Sequence, residues 1–197
     1  MTRLVECFFD VGSPAAYLAW MQLPKIVADA GGTLLWRPIL LGGIFKATGN
    51  SSPVTIPAKA KWLMADLARF ATRYGVPFQT PVGFPLNTLS LMRGAVGLQM
   101  QDQEAFTRYV SLVFSGIFSQ GLVMSDPTVL AKVLGDAGFD LAAFDAMTSD
   151  PTVKQALVAG TDEAVARGVF GAPTMFVGET MHFGQDRLDF IAAELRR

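Results

Sequence analysis

The stretch FFDVGSPAAYLAW, residues 8–20, decides how this chain is read. An apolar run meets an acid, a glycine and then Ser13-Pro14, after which small and apolar residues recur at helical spacing. Serine is a favoured helix N-cap because its side-chain oxygen accepts one of the free backbone N–H groups. Proline suits the first helical position, where its missing donor costs nothing. A helix is therefore expected from Pro14 through PAAYLAWMQLPKIVADA to Gly31-Gly32, with Pro24 as a kink. Upstream, residues 4–10, LVECFFD, read as a buried strand, and TLLWRPIL, from Thr33, reads as a second. The order is β-α-β, and a right-handed crossover makes the two strands parallel.

Beyond this unit the text turns helical. Helix-forming spacing covers 57–73, then about 88–101, 103–119, 126–136, 140–149 and 151–167, with Asp-Pro pairs at 126–127 and 150–151. Residues 77–87, PFQTPVGFPLN, read as a proline-rich loop. APTMFVGETMHFG, from Ala172, gives two short strands about a Gly-Glu turn, and QDRLDFIAAELRR, from Gln185, closes as an amphipathic helix. The order β-α-β, helical block, β-β-α fits an α/β, thioredoxin-like plan with an inserted all-helical domain. The thioredoxin-like part comprises residues 1–43 and 169–197, and the insert 44–168.

Composition narrows the function classes. With 51% apolar and 17% charged residues, little of the chain is left for a disordered tail. Sixteen basic against 17 acidic side chains leave no electrostatic footprint for nucleic acid, and no basic run suits an anionic membrane. LLWRPILLGGIF is the most apolar run, but Arg37 and Pro38 break it well short of a membrane span of ~18 residues. Glu6 and Asp10 interrupt the N-terminal apolar stretch, so it does not read as a secretory signal. A reduced, cytoplasmic protein is expected. One cysteine, Cys7, precludes an intrachain disulfide, and a single His182 leaves no cysteine-rich or histidine-rich metal site. Cys7, among Val5, Phe8 and Phe9, reads as core, and His182 as structural or surface.

Three motifs carry the chemistry: DVGSPAAY, VFGAPTMFV at 169–177 and FGQDR at 183–187. In the thioredoxin plan the first helix starts beside a loop that enters the third strand through a proline, usually cis. Pro173 fills that position, with Ala172 before it. The backbone there can pair with an extended thiol peptide as an added strand does, and the cysteinyl unit of glutathione is such a peptide. Ser13 then faces the sulfur. A helix N-terminus favours thiolate, and a hydroxyl adds one donated hydrogen bond. Serine forms no disulfide, and SPAA, residues 13–16, has no cysteine, so dithiol oxidation is excluded at this site. Asp186 suits an ammonium, while free N–H groups near Gln185 and Asp186 suit a carboxylate. The γ-glutamyl end of glutathione offers both. Each residue also has a purely local reading. Ser13 can be only a cap, Pro173 a strand-entry proline and Asp186 a first-turn acid. Lys46 can be a solvated lysine, Asn50 a turn residue and Asn87 a helix cap.

FFDVGSPAAYLA, RPILLGGIFKATGN, FPLNTLSLMRG and VFGAPTMFVGETMHFGQDRL, in order along the chain, resemble the 2-hydroxychromene-2-carboxylate isomerase family, relatives of kappa-class glutathione transferases and, more distantly, of DsbA. The resemblance implies a thioredoxin fold with a helical insert, bound glutathione and a homodimer. It puts the active serine at Ser13, the cis-proline segment at Ala172 and Pro173, and the γ-glutamyl contacts at Gln185 and Asp186. Lys46 and Asn50 of KATGN would line the glutathione or substrate pocket, Lys46 facing the substrate carboxylate, and Asn87 would be a further pocket position. Gly12 and Ala15-Ala16 depart from bulkier or aromatic residues of the family, which leaves the pocket's size and its substrate open. The implied activity is glutathione-dependent isomerisation of 2-hydroxychromene-2-carboxylate or a similar small aromatic keto acid. The alternatives are a kappa-like transferase or peroxidase that consumes glutathione, and a non-catalytic thiol-peptide binder.

Overall fold

β1 (Leu4–Phe9), α1 (Pro14–Asp29) and β2 (Thr33–Pro38) form the expected unit in the computed structural model, which describes residues 3–81 and 83–196. The two strands are parallel, from Leu4 beside Thr33 to Phe9 beside Pro38. β3 (Thr174–Val177) runs antiparallel along the other edge of β1, and β4 (Thr180–Phe183) pairs with β3. The sheet order is β2-β1-β3-β4. The central position of β1 explains its continuous apolar text: Val5, Cys7, Phe8 and Phe9 are fully buried. Burial pushes the Cys7 thiol above the usual thiol range, so it remains neutral packing.

Between β2 and β3 lie α2 (Leu41–Thr48), α3 (Pro57–Tyr74), α4 (Leu89–Gln101), α5 (Gln103–Phe118), α6 (Pro127–Asp136), α7 (Leu141–Ser149) and α8 (Pro151–Ala166). Aspartates cap four of them: Asp102, Asp126, Asp140 and Asp150 accept first-turn N–H groups. α1 continues through Pro24 to Asp29 as one helix.

Two elements differ from the sequence reading. Residues 41–48, to which the sequence reading assigns no element, form α2. Gly42 and Gly43 weaken its helical signal, and its start is instead held from outside: Leu41 N–H donates to Asp10 at 2.7 Å and Leu40 N–H to Thr161 Oγ1 at 3.0 Å. The closing helix begins not at Gln185 but at Leu188, as α9 (Leu188–Leu195), after a 3₁₀ turn at Gln185–Arg187. Tyr74 of α3 fastens that turn by donating to the Gln185 backbone oxygen (3.2 Å) and to its Oε1 (2.9 Å).

One face of the sheet carries the main core. Phe9 sits among Trp20, Trp36, Phe106 and Phe114, and the Trp20 and Trp36 rings lie 4.3 Å apart. The other face packs Phe8 and Phe176 with Ile39, Ile44, Ala164 and Val169. Arg167 lies over the Phe176 ring at 4.1 Å, and Glu6 ties Arg167 (2.9 Å) to Arg37 (3.4 Å). Close helix packing needs Gly94 on α4, where a Cβ would lie 2.5 Å from the Tyr109 hydroxyl and 2.6 Å from the Phe144 ring. Gly94→Ala is therefore expected to destabilise the fold by about 2 kcal/mol in denaturant titration, overpacking outweighing alanine's better helix propensity. A gain in stability would show that Tyr109 and Phe144 give way.

Candidate active site

The corner between β1 and α1 is organised by Asp10, which is 1% exposed. Its Oδ1 accepts Gly12 N–H at 2.8 Å, and its Oδ2 accepts Leu41 N–H at 2.7 Å and the Thr88 hydroxyl at 3.1 Å. One carboxylate thus fastens the strand end, the start of α2 and the start of α4. Burial raises its pKa, and these three hydrogen bonds pull it partly back. The sequence reading used Asp10 only as a break in an apolar stretch. The available signal was an acid in a strand-to-helix corner, three residues before a cap.

Ser13 is the N-cap of α1 and is 5% exposed. Its Oγ accepts Ala16 N–H at 3.1 Å and donates to the Ala172 carbonyl at 2.8 Å. The Ala172–Pro173 peptide bond is cis. The helix start and the strand-entry loop, 159 positions apart, therefore meet through one hydroxyl.

A cavity of about 170 Å³ opens at this junction. Ser13, Ala172, Asn50, Ser51 and Ser52 supply polar groups to its lining, and Leu41, Phe45, Leu63, Leu67, Phe84 and Phe183 make an apolar wall. Gly171 belongs to the wall because a Cβ there would meet the Phe183 ring at 2.8 Å.

The chain matches the DSBA-like thioredoxin domain over residues 4–196. It is 32% identical to a 2-hydroxychromene-2-carboxylate isomerase of Sphingobium xenophagum, the alignment covering 99% of each chain. The chain belongs to the 2-hydroxychromene-2-carboxylate isomerase family. A second member of that family, from Pseudomonas putida, is also 32% identical, over 98% of this chain and 95% of that one. The kappa 1 glutathione S-transferase of Homo sapiens is 26% identical, over 98% and 90%. A solved 2-hydroxychromene-2-carboxylate isomerase superposes with a TM-score of 0.87 at 30% identity, over 98% of this chain and 94% of that one.

In the structure the expected site residues separate into three groups. Ser13, Ala172 and Asn50 border this cavity, and buried Pro173 adjoins it. Asn50 has both ends of its amide engaged: Nδ2 donates to the Phe170 carbonyl at 2.9 Å, and Oδ1 accepts Ser51 N–H at 2.8 Å. Gln185 and Asp186 lie in the 3₁₀ turn that packs against α1, outside the cavity wall. Gln185 is buried and held by Tyr74, whereas exposed Asp186 accepts the Arg187 guanidinium at 2.8 Å. Lys46 is exposed on the last turn of α2 and is not part of the wall. Asn87 is also exposed and outside it, with Oδ1 accepting Leu89 N–H at 3.1 Å at the start of α4, a helix-start role. Of the small positions that set pocket size, Gly12 and Ala15 face the cavity, while Ala16 is core. A Cβ at Gly12 would lie 2.8 Å from Thr88 Cγ2. His182 pairs with Glu194 of the closing helix at 2.8 Å and is not among the residues lining the cavity.

Proposed function

We propose that the protein is a glutathione-dependent isomerase acting on 2-hydroxychromene-2-carboxylate or a similar small aromatic keto acid. The observation that carries this reading is the Ser13 hydroxyl, 2.8 Å from the Ala172 carbonyl, at the start of α1 and the end of an apolar cavity. The donor set fits glutathione. The start of α1 and Ser13 suit a thiolate, the Ala172 carbonyl suits a peptide N–H, and the Asp186–Arg187 pair offers a carboxylate and a guanidinium to the γ-glutamyl ammonium and carboxylate. Bound glutathione would supply a thiolate for reversible addition to a conjugated carbon, turning a double bond into a rotatable single bond.

The chain's own residues do the rest. The Ser13 hydroxyl turns from Ala172 toward the sulfur, and its oxygen still accepts Ala16 N–H, so the cap persists through the exchange. The same turn frees the Ala172 carbonyl to accept from the ligand backbone. Leu41, Phe45 and Phe84 hold the aromatic ring and exclude water. Among the described residues no Lys or Arg lines the cavity, so Ser51 and Ser52 of its lining meet the substrate carboxylate in place of Lys46.

Calorimetric titration with glutathione tests the reading. The wild type is expected to bind in the micromolar-to-millimolar range, and Asp186→Ala to bind about tenfold more weakly, one charge-assisted contact being lost. No binding by the wild type would overturn it. The kappa-class relatives favour a second reading, a transferase. Turnover of a chromene carboxylate with total glutathione unchanged separates the first from the second, in which glutathione falls as product forms.

A further inference from the structure

A second cavity, of about 200 Å³, lies on the opposite flank of α2, between α2, α4 and α8. Leu40, Leu89, Leu157 and Val158 give it apolar walls, and Gly43 leaves it room where a Cβ would stand 3.0 Å from Thr161 Cγ2. Thr161 is fully engaged, donating to the Leu157 carbonyl at 2.8 Å and accepting Leu40 N–H. Two cations face this apolar space. Arg93 of α4 and Lys154 of α8 line it, and neither forms an ion pair with any described residue. Arg93 Nε is buried with no hydrogen-bond partner among the described residues. Two cations lining an otherwise apolar cavity suit an anionic ligand with an apolar body.

We propose that this second cavity binds a small organic monocarboxylate, its carboxylate on Arg93 and Lys154 and its apolar body against Leu40, Leu89 and Leu157. The guanidinium fork matches a carboxylate in shape as well as charge. Asp162 is the acid in the cavity wall, and Asp150, outside that lining, is close enough to Lys154 for each to feel the other's charge. That balance suits a single negative charge and disfavours a dianion such as phosphate. Size agrees: an aliphatic cavity of ~150 Å³ takes a benzene ring, and this one adds room for a carboxylate. The site is separate from the proposed active site, which lies on the Leu41 and Phe45 side of α2.

Benzoate is the probe, followed by amide chemical shifts in the full-length wild-type protein with glutathione present to occupy the first site. Shifts are expected to centre on Gly43, Thr161 and Asp162 with a Kd on the order of 1 mM. Arg93→Met should weaken binding at least about tenfold and Lys154→Met a few-fold, while Asp162→Asn tightens it by removing the opposing charge. Phe45→Ala, in the first cavity, leaves the affinity unchanged, and benzyl alcohol produces no comparable shifts. Absence of benzoate shifts at these residues overturns the proposal. So does binding that survives both cation substitutions or is lost in Phe45→Ala. Phosphate shifting the same residues equally well would overturn the organic-anion assignment. The wild-type shift map decides the matter even if Arg93→Met does not fold.

Discussion

Replacing Ser13 by alanine is expected to lower isomerase turnover by about 100- to 1,000-fold, the loss found when one preorganised donor to developing charge is deleted. Glutathione affinity should fall by less than about tenfold, because the proposed γ-glutamyl and backbone contacts would remain and the serine interaction matters most when charge sits on sulfur. The thiol of bound glutathione should titrate at higher pH in Ser13→Ala, read from its ultraviolet thiolate absorbance. The variant also loses an N-cap, which costs about 1 kcal/mol and leaves Ala16 N–H and the Ala172 carbonyl without their partner. That structural cost is too small to explain a thousandfold fall in a folded protein. Unchanged turnover, or a fall matched by loss of folded protein, would reduce Ser13 to a helix cap.

The sequence made this junction readable because both halves carry strong local signals. Ser-Pro before a helical stretch marks a cap, and Ala-Pro before a β-branched, apolar run marks a strand start. Such signals are local, and so were the successes: β1, α1, the β3–β4 hairpin and the Asp-capped helices lie close to where the text puts them. The misses are tertiary. α2 exists because Asp10 and Thr161 grip its first N–H groups, and no propensity in LGGIFKAT announces a carboxylate from just beyond β1. The turn at Gln185–Arg187 is held by Tyr74, more than a hundred residues away. The same reason places Lys46 outside the cavity: once KATGN is the end of a helix, its lysine points from an exposed last turn. Asn87 reads as ligand or, with some preference, as cap in the text, and its bond to Leu89 N–H gives it the local role.

Asp10 should show the largest effect on the folded state, and its sign with pH is informative. Asp10→Asn keeps the shape but replaces an all-acceptor group by one with two donors. Gly12 N–H, Leu41 N–H and the Thr88 hydroxyl all aim at the carboxylate. The hydroxyl can turn; the two backbone donors cannot. One buried donor is therefore left facing another, and a loss of about 2–3 kcal/mol is expected in denaturant titration at neutral pH. Gly12 and Leu41 also border the cavity, so isomerase turnover should fall roughly 10- to 100-fold through misplaced walls. Burial raises the Asp10 pKa despite the opposing hydrogen bonds, so the native state holds this proton more tightly than the unfolded chain. The stability that comes with protonation is complete below the ordinary carboxylate range and is lost as pH rises through the raised native value. The amide does not titrate. The stability gap between wild type and Asp10→Asn should thus be widest in acid, narrow as pH rises through that value, and then stay level. A gap that widens with rising pH would mean that the three donors outweigh burial. Asp10 would then be a carboxylate stabilised in its charged form, and the corner that aligns Ser13 would be held by charge rather than in spite of it.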